Sequence, residues 1–159
     1  MKRFEVKTAS VTDKSCTVVF GNTRLSVLTP CLVRVEKGNF CDEPTQRVWE
    51  RDFERPVFTC EQKGRVVHIV TDKAHFMYSL RSGSMRRIIL ADGRKVTHFS
   101  RGNLKGTRRT LDGCDGAVPL ESGLVSRGGV AVMDDSNGLI LRGDKIVSRP
   151  KCSDKYYFA

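Results

Sequence analysis

The sequence lacks long apolar runs and capped helical patterns. No apolar stretch approaches the about 20 residues that a membrane-spanning helix needs. Nowhere do apolar residues recur at the helical period over ten residues between capping residues. Residues 1–7 contain no apolar segment of the kind that a secretory signal requires. These absences predict a domain without helices, membrane contact or an export signal, and therefore a cytoplasmic location.

Residues that often carry catalysis or bind metals are few and scattered. The chain has three histidines, and no serine lies in a Gly-x-Ser-x-Gly motif, so no Ser-His-Asp triad is predicted. We interpret the histidines as structural or surface residues. The six cysteines form no Cys-x-x-Cys pair, and no histidine stands at metal-ligand spacing. We therefore predict mostly reduced thiols, no metal site and no cofactor.

The chain has an excess of positive charge, with a formal net charge of +10. Basic surfaces attract phosphates, so a nucleic-acid-binding β domain is one hypothesis. The basic residues are scattered, mostly singly or in pairs such as Arg108 and Arg109, with acidic residues between them. The sequence contains neither an RNA-binding signature with interleaved aromatics nor a glycine-rich phosphate loop. A solvated face, or a surface that docks on a more acidic neighbouring domain, explains the charge better, and no nucleic-acid partner is predicted.

What the chain does have is many short alternating apolar patterns. They occur at Cys16–Phe20, Val66–Val70, Phe76–Leu80, Ile88–Leu90, Val130–Met133 and Leu139–Leu141. A chain of 159 residues suits one domain, residues 1–159, with room for a hydrophobic core. Many short strands at regular spacing are typical of a sandwich or barrel. We predict an all-β fold, an antiparallel β-sandwich.

Turn signals separate these patterns. Gly21-Asn22 is a hairpin signal, and Thr29-Pro30 interrupts a strand pattern because proline cannot donate to a sheet ladder. Asp92-Gly93 predicts a two-residue type I′ turn. The polar residues 134–138 predict a second hairpin between Val130–Met133 and Leu139–Leu141, and Gly143-Asp144 predicts one more turn.

The glycine-rich stretch Asn103–Ser136 is the region most suited to a site. A loop of this length is usually either functional or disordered, and the charged and hydroxyl residues of Thr107–Asp112 are what a polar ligand would need. An ordinary solvated connection is the alternative. Asp134 and Asp135 are adjacent, and adjacent strand residues point to opposite faces. A retaining glycosidase needs two facing carboxyls about 5–5.5 Å apart, so we interpret both as turn residues that cap backbone amides.

Several motifs in this stretch and upstream of it occur together in one known family. They are N-L-x-G-T-x-R-T-L-D at Asn103–Asp112, P-L-E at Pro119–Glu121, G-L-x-S-R at Gly123–Arg127, D-D-S at Asp134–Ser136, and the upstream runs Glu43–Val48 and Arg51–Phe53. In order and spacing they resemble the N-terminal β-sandwich domain of glycoside hydrolase family 31, the α-glucosidase and α-xylosidase family. The resemblance covers most of the chain from about Asn22 onward.

The resemblance implies a fold and a role. The fold would be a galactose-mutarotase-like supersandwich, and the role that of a non-catalytic N-terminal domain of a retaining α-glycosidase. In the family the catalytic aspartates lie on a (β/α)₈ barrel that follows this domain, in a W-x-D-M-N-like motif that is absent from this chain. The domain packs on that barrel and sends a loop toward the pocket for an α-linked sugar. Asp112 is the first candidate for the sugar contact, because a carboxylate can accept two hydroxyls, with Thr110 and Arg109 beside it.

Two other hypotheses come from different function classes. A free-standing carbohydrate-binding β-sandwich is suggested by the glycine-rich loop and by Trp49, whose ring is either a cover over a sheet edge or a platform for a sugar. A basic nucleic-acid-binding β domain is suggested by the net charge of +10 alone. Neither hypothesis makes the chain by itself an enzyme.

Overall fold

The strands of this protein form an antiparallel β-sandwich in the computed structural model, which describes residues 7–106, 113 and 115–159. The strands are β1 Thr17–Phe20, β2 Thr23–Thr29, β3 Leu32–Gly38, β4 Phe58–Lys63, β5 Val66–Thr71, β6 Ala74–Ser79, β7 Ser84–Leu90, β8 Lys95–Val96, β9 Ala131–Asp134, β10 Ile140–Arg142, β11 Lys145–Val147 and β12 Cys152–Phe158. A short 3₁₀ turn, Lys14–Cys16, precedes β1. The described ranges contain no α-helix, and hence no helix long and apolar enough to cross a membrane. The predicted all-β sandwich is confirmed.

Two five-stranded sheets make up the sandwich. The first sheet has the order β1-β2-β3-β12-β9, so the last strand of the chain lies between β3 and β9. Its register places Tyr157 opposite Val33 and Tyr156 opposite Arg34. The second sheet is a meander in chain order, β4-β5-β6-β7-β8, and β10 and β11 form a separate hairpin. Every pairing of named strands is antiparallel.

The hydrophobic core lies between the two sheets because each strand turns alternate side chains inward. Its buried members are Leu25, Val27, Val33, Val35, Val67, Ile69, Ala74, Phe76, Tyr78, Met85, Ile88, Val130 and Tyr157. Tyr78 is held with its hydroxyl neutral, because burial raises its pKa to about 12. The alternation leaves each sheet with an outer face as well, and the two outer faces differ in chemistry.

The positive-φ glycines fix the geometry of two predicted turns, and one of these turns differs from the prediction. Gly21 has a φ of +58° and lies first in the two-residue turn between β1 and β2, as a type II′ hairpin requires. Gly93 has a φ of +83°, but Lys105 is the only described non-glycine residue with positive φ, so Asp92 does not have the conformation of a type I′ turn. Instead the Leu90 N–H donates to the Arg94 carbonyl at 2.9 Å, which closes a three-residue loop with glycine last.

The predicted hairpin between Val130–Met133 and Leu139–Leu141 is wrong. β9 joins the first sheet through β12, whereas β10 pairs with β11 and touches Thr45 through an isolated bridge. The polar residues between β9 and β10 therefore connect two different layers. The Gly143-Asp144 turn is confirmed, since it joins β10 to β11.

Candidate functional site

The predicted ligand loop rises from a short, well-defined pairing of two segments, which we call the loop stem: residues 103–106 and 121–126. The Leu104 N–H donates to the Val125 carbonyl at 2.9 Å, and the Gly106 N–H donates to the Glu121 carbonyl at 2.6 Å. Asn103 and Ser126 form an antiparallel bridge at the base. The stem thus brings together the two ends of residues 107–120.

The side chain of Asn103 fastens the stem. Its amide Nδ2 donates to the Gly123 carbonyl at 2.7 Å, and its Oδ1 accepts from the Gly123 N–H at 2.9 Å. The same Oδ1 accepts from the Lys105 N–H at 2.9 Å. Asparagine can do this because its amide carries a donor and an acceptor on one planar group. The Asn103 side chain therefore makes the two hydrogen bonds to Gly123 that a backbone residue would make in a β-ladder.

Glycine at position 123 is required by the closeness of the two segments. A Cβ at this position would lie 2.8 Å from the Lys105 carbonyl oxygen and 3.2 Å from the Gly106 nitrogen. Both contacts are with backbone, which cannot move aside without opening the stem. Lys105 itself has a φ of +66°, a conformation that costs a non-glycine residue of order 1–3 kcal/mol. The stem is held tightly by local geometry.

The predicted sugar-contact residues Arg109, Thr110 and Asp112 lie outside the described residues. The rest of the Thr107–Asp112 segment and Cys114 also lie outside them. The interpretation of these three residues as sugar contacts therefore stays a prediction. Sequence reasoning missed Asn103 as a positioning residue, because its partner Gly123 is 20 residues away and no local pattern joins the two.

Two open clefts adjoin the stem. The first, of about 570 Å³, is lined by Arg94, Lys95, Val96, Thr97, His98, Arg101, Gly102, Arg127 and Gly128. The second, of about 390 Å³, is lined by Thr97, His98, Phe99, Ser100, Asn103, Ser122 and Val132. The first has four arginine or lysine side chains and no carboxylate among its lining residues. The second offers hydroxyl and amide groups beside an aromatic ring, which is the composition that a neutral polar ligand such as a sugar would use.

The loop stem and its neighbourhood expose large apolar side chains. Leu104, Leu120, Leu124 and Val125 are 51%, 45%, 53% and 62% exposed. Single exposed apolar residues are ordinary, but several on one segment point to a surface that another chain or domain covers. The stem therefore combines a rigid base, polar cleft walls and an apolar rim.

A second group of residues meets on the outer face of the first sheet, and it includes the motif residues Thr45, Arg51 and Asp135. We call it the charge network: Arg34, Glu36, Thr45, Arg51, Asp135, Arg149, Asp154 and Tyr156. The Thr45 hydroxyl donates to Asp135 Oδ2 at 2.7 Å across 90 residues of sequence. Arg51 Nε donates to the Tyr156 hydroxyl at 2.7 Å. The two runs that carried the family resemblance, upstream and downstream, therefore make direct contact.

Asp154 lies at the centre of the charge network. Arg34 donates to it twice, from Nε at 2.9 Å and from Nη2 at 2.8 Å, and Arg149 Nη2 donates at 2.7 Å. Burial alone would raise the pKa of Asp154, but the hydrogen bond and charge of Arg34, together with Arg149, outweigh it and lower the pKa below its usual value. The carboxylate is therefore held ionised, although it is fully buried.

Glu36 completes the network beside Arg34. Its carboxylate lies 2.9 Å from Arg34 Nη2 and 2.6 Å from Arg24 Nε. It also accepts from the Cys41 backbone N–H at 3.0 Å. Buried charges need such complete pairing, because an unpaired ion in a dry interior costs several kcal/mol. The arrangement is that of a structural anchor, since every one of these groups is closed off from solvent.

The interpretation of Asp134 and Asp135 as two turn caps is half right. Asp134 accepts from the Ser136 N–H at 3.0 Å, as a turn cap does. Asp135 is fully buried, and its pKa is raised mainly by burial, against the hydrogen bond from Thr45. Gly138 has no room for a side chain, because a Cβ there would lie 2.2 Å from Asp135 Oδ1. Asp135 is therefore a buried member of the charge network.

The remaining candidates are Trp49 and the cysteines. Trp49 is 46% exposed, so part of its ring surface is free to contact a ligand. Five cysteines in the described part are free thiols, namely Cys16, Cys31, Cys41, Cys60 and Cys152. Among the residues the structure describes, no group of three or more His, Cys, Asp or Glu side chains is arranged to hold a metal ion.

Comparison with known proteins adds no relative. A scan against family profiles finds no match for this chain, and a search of curated proteins finds none either.

Proposed function

We propose that this chain is a non-catalytic N-terminal domain of a retaining α-glycosidase. In this proposal it packs on a catalytic barrel of the same parent protein, and residues 107–112 extend from the loop stem to the rim of the sugar pocket. The observation that carries the proposal is the stem, because a rigid base with an apolar rim is what a loop needs to be presented at an interface. Asn103 clamps that base from both sides of Gly123.

Two further observations support the proposal. The four exposed apolar side chains of the stem and its loop, Leu104, Leu120, Leu124 and Val125, would be covered by the barrel. The motif runs of the family resemblance meet through Thr45 and Asp135, so their order along the chain corresponds to contact in space. Some motif residues lie in the loop stem, and others lie in the charge network on the first sheet.

The proposal is tested first by reading the coding frame beyond Ala159. We expect a barrel with a W-x-D-M-N-like motif. The isolated 159-residue chain is expected to show no hydrolysis of an aryl α-glucoside, because the catalytic aspartates belong to the barrel. Measurable turnover by the isolated chain, or a frame without a barrel, would contradict the proposal.

The role of the loop is tested in the joined protein. Asp112→Ala is expected to raise KM for an aryl α-glucoside by about 10- to 100-fold, because a hydrogen bond to a charged group contributes roughly 1.5–3 kcal/mol. Thr110→Ala is expected to raise it less. Asp115→Ala is the matched control, since Asp115 is an exposed carboxylate three residues further along. Equal effects of Asp112→Ala and Asp115→Ala would contradict a specific sugar contact.

A free-standing carbohydrate-binding sandwich is the second candidate, and the exposure of Trp49 favours it. If this candidate is right, millimolar glucose or maltose shifts NMR resonances of Trp49 in the isolated chain, and Trp49→Ala abolishes the shifts. The absence of shifts anywhere in the spectrum removes this candidate and leaves the first one unaffected.

A further inference from the structure

Two of the three histidines lie side by side on the outer face of the second sheet. β5 places Val67 and Ile69 in the core, so His68 between them points outward; β6 likewise turns His75 outward beside the core residue Phe76. The strand register pairs Met77 with His68 and Val70 with His75, so the two histidines are diagonal neighbours. The sheet therefore holds the two imidazoles together without help from a loop.

The ring nitrogens of this pair are very close. His68 Nδ1 lies 3.0 Å from His75 Nε2, and the ring centroids are 5.2 Å apart. Without a cation, one nitrogen donates a proton to the other. If both nitrogens instead ligate one ion at about 2.0–2.1 Å, a separation of 3.0 Å subtends an angle of roughly 95° at that ion. That angle is close to the right angle between neighbouring ligands in square-planar and octahedral complexes, and below the tetrahedral one.

The surroundings leave the pair accessible to solvent. Both histidines are half-buried on an open face. Glu61 lies opposite His68 in the register and pairs with Lys63 at 3.1 Å. Met77, opposite His68, contributes a thioether on the same face.

We propose that His68 and His75 form a two-histidine binding site for a late first-row divalent cation, with water completing the coordination. Binding replaces the hydrogen bond between the rings: the donating imidazole moves its proton to its other ring nitrogen, and both inner nitrogens then donate lone pairs to the ion. Imidazole ligands suit Cu²⁺, Ni²⁺ and Zn²⁺. This site is independent of the proposed glycosidase role, because it uses none of the same residues.

Spacing along the chain could not reveal this site. The histidines are seven residues apart, which matches no helical ligand spacing, and the prediction of no metal site rested on that spacing. A hairpin converts the separation into a diagonal contact, because Val70 pairs with His75 and the strands turn between them. The ligand geometry is therefore a product of strand register.

The test is a titration of the full 159-residue chain with Ni²⁺ at neutral pH. We expect uptake of one ion, with paramagnetic broadening of the imidazole resonances of His68 and His75. His68→Gln and His75→Gln should each weaken binding by about tenfold or more, because the second imidazole of a chelate acts at high effective concentration. At substoichiometric Cu²⁺, the electron paramagnetic resonance spectrum should show coupling to two imidazole nitrogens.

His98→Gln is the matched control, since His98 is the third histidine of the chain and lines the clefts beside the loop stem. It should leave the Ni²⁺ affinity unchanged. The proposal is overturned if His98→Gln weakens binding as much as His68→Gln, or if both glutamine variants at the pair bind Ni²⁺ as the wild type does. If a variant fails to fold, the wild-type imidazole spectrum decides: broadening of His98 alone contradicts the site.

Discussion

The two sheets share one apolar core, but the outer face of the first sheet is covered and that of the second sheet is open to solvent. On the first sheet, the segment containing Thr45 and Arg51 covers the outer side, and Arg34, Glu36 and Asp154 are fully buried there. On the second sheet nothing in the described residues covers the outer side to the same extent, and the His68–His75 pair remains half-exposed. Most polar groups on the covered face have one another as partners, although Arg51 Nη2, Asp135 Oδ1 and Arg149 Nε have no hydrogen-bond partner among the described residues. Those on the open face can exchange partners with the solution.

This difference separates structural from functional chemistry in the molecule. A charge that is desolvated needs full pairing, and once paired it has no capacity left for a ligand. A half-exposed pair of polar groups has a smaller desolvation cost and can still bind a ligand. The abundance of charged residues on the covered face is therefore no sign of a site, and the solvent-accessible polar groups of the open face and of the clefts beside the loop stem are better candidates.

The largest expected effect is the loss of Asp154. Asp154→Ala leaves Arg34 and Arg149 buried without their carboxylate, and we expect a loss of about 3–5 kcal/mol in the free energy of unfolding. Denaturant unfolding measures this value. Asp72→Ala is the control, because Asp72 pairs with Lys73 at 3.2 Å in an exposed position on the second sheet's side; it should leave stability unchanged within error. Equal effects would remove the distinction between the faces.

The same carboxylate predicts how stability depends on pH. The pKa of Asp154 in the folded chain is lowered from its ordinary value of 3.8, so its stabilisation is present above the unfolded pKa and disappears as pH falls through the folded pKa. Asp154→Asn should therefore be less stable than the wild type at neutral pH, and the two should converge under acid. A difference that stays constant down to the acid limit would show that the Asp154 charge contributes nothing.

A smaller effect is expected from the Thr45 hydroxyl. Thr45→Val keeps the side-chain volume but removes the hydroxyl that donates to Asp135 Oδ2. The other oxygen of this carboxylate, Oδ1, already has no hydrogen-bond partner among the described residues. We expect a loss of about 1–3 kcal/mol, the cost of an unsatisfied buried group. Thr59→Val on the exposed side of β4 is the control and should be neutral or slightly stabilising. Unfolding curves for both variants, compared with the wild type, test whether coverage decides the cost.

The smallest effect is expected at the open face. His75→Gln in the absence of metal removes one hydrogen bond between half-exposed rings, and we expect a change of about 1 kcal/mol or less in the free energy of unfolding. In the presence of saturating Ni²⁺ the wild type should gain stability and the variant should not, because a ligand that binds only the folded chain stabilises it. Thermal unfolding with and without Ni²⁺ measures both. A Ni²⁺-dependent gain in His75→Gln would contradict the pair as the ligand.

Local patterns predicted the strands and turns well, and pairings less well. Gly21 marks a real hairpin because its positive φ is a property of the residue itself. The Asp92-Gly93 turn is one residue longer than predicted, and the pairing of β9 with β10 was wrong, since register depends on partners that lie elsewhere. The loop stem follows the same rule, because Asn103 is recognisable only through its contact with Gly123.

The sequence by itself determined the alternation of apolar residues, the glycines with positive φ and the absence of α-helices from the part of the chain that the structure describes, because each of these depends on neighbours within a few residues. Only the tertiary structure decided which outer face is covered. Arg34 reaches Asp154 across 120 residues of chain, and the closure of such a long loop leaves no local mark. The segment containing Thr45 and Arg51 covers this pair on the first sheet, whereas His68 and His75 on the second sheet remain half-exposed. That difference follows from which segments fold back over which sheet.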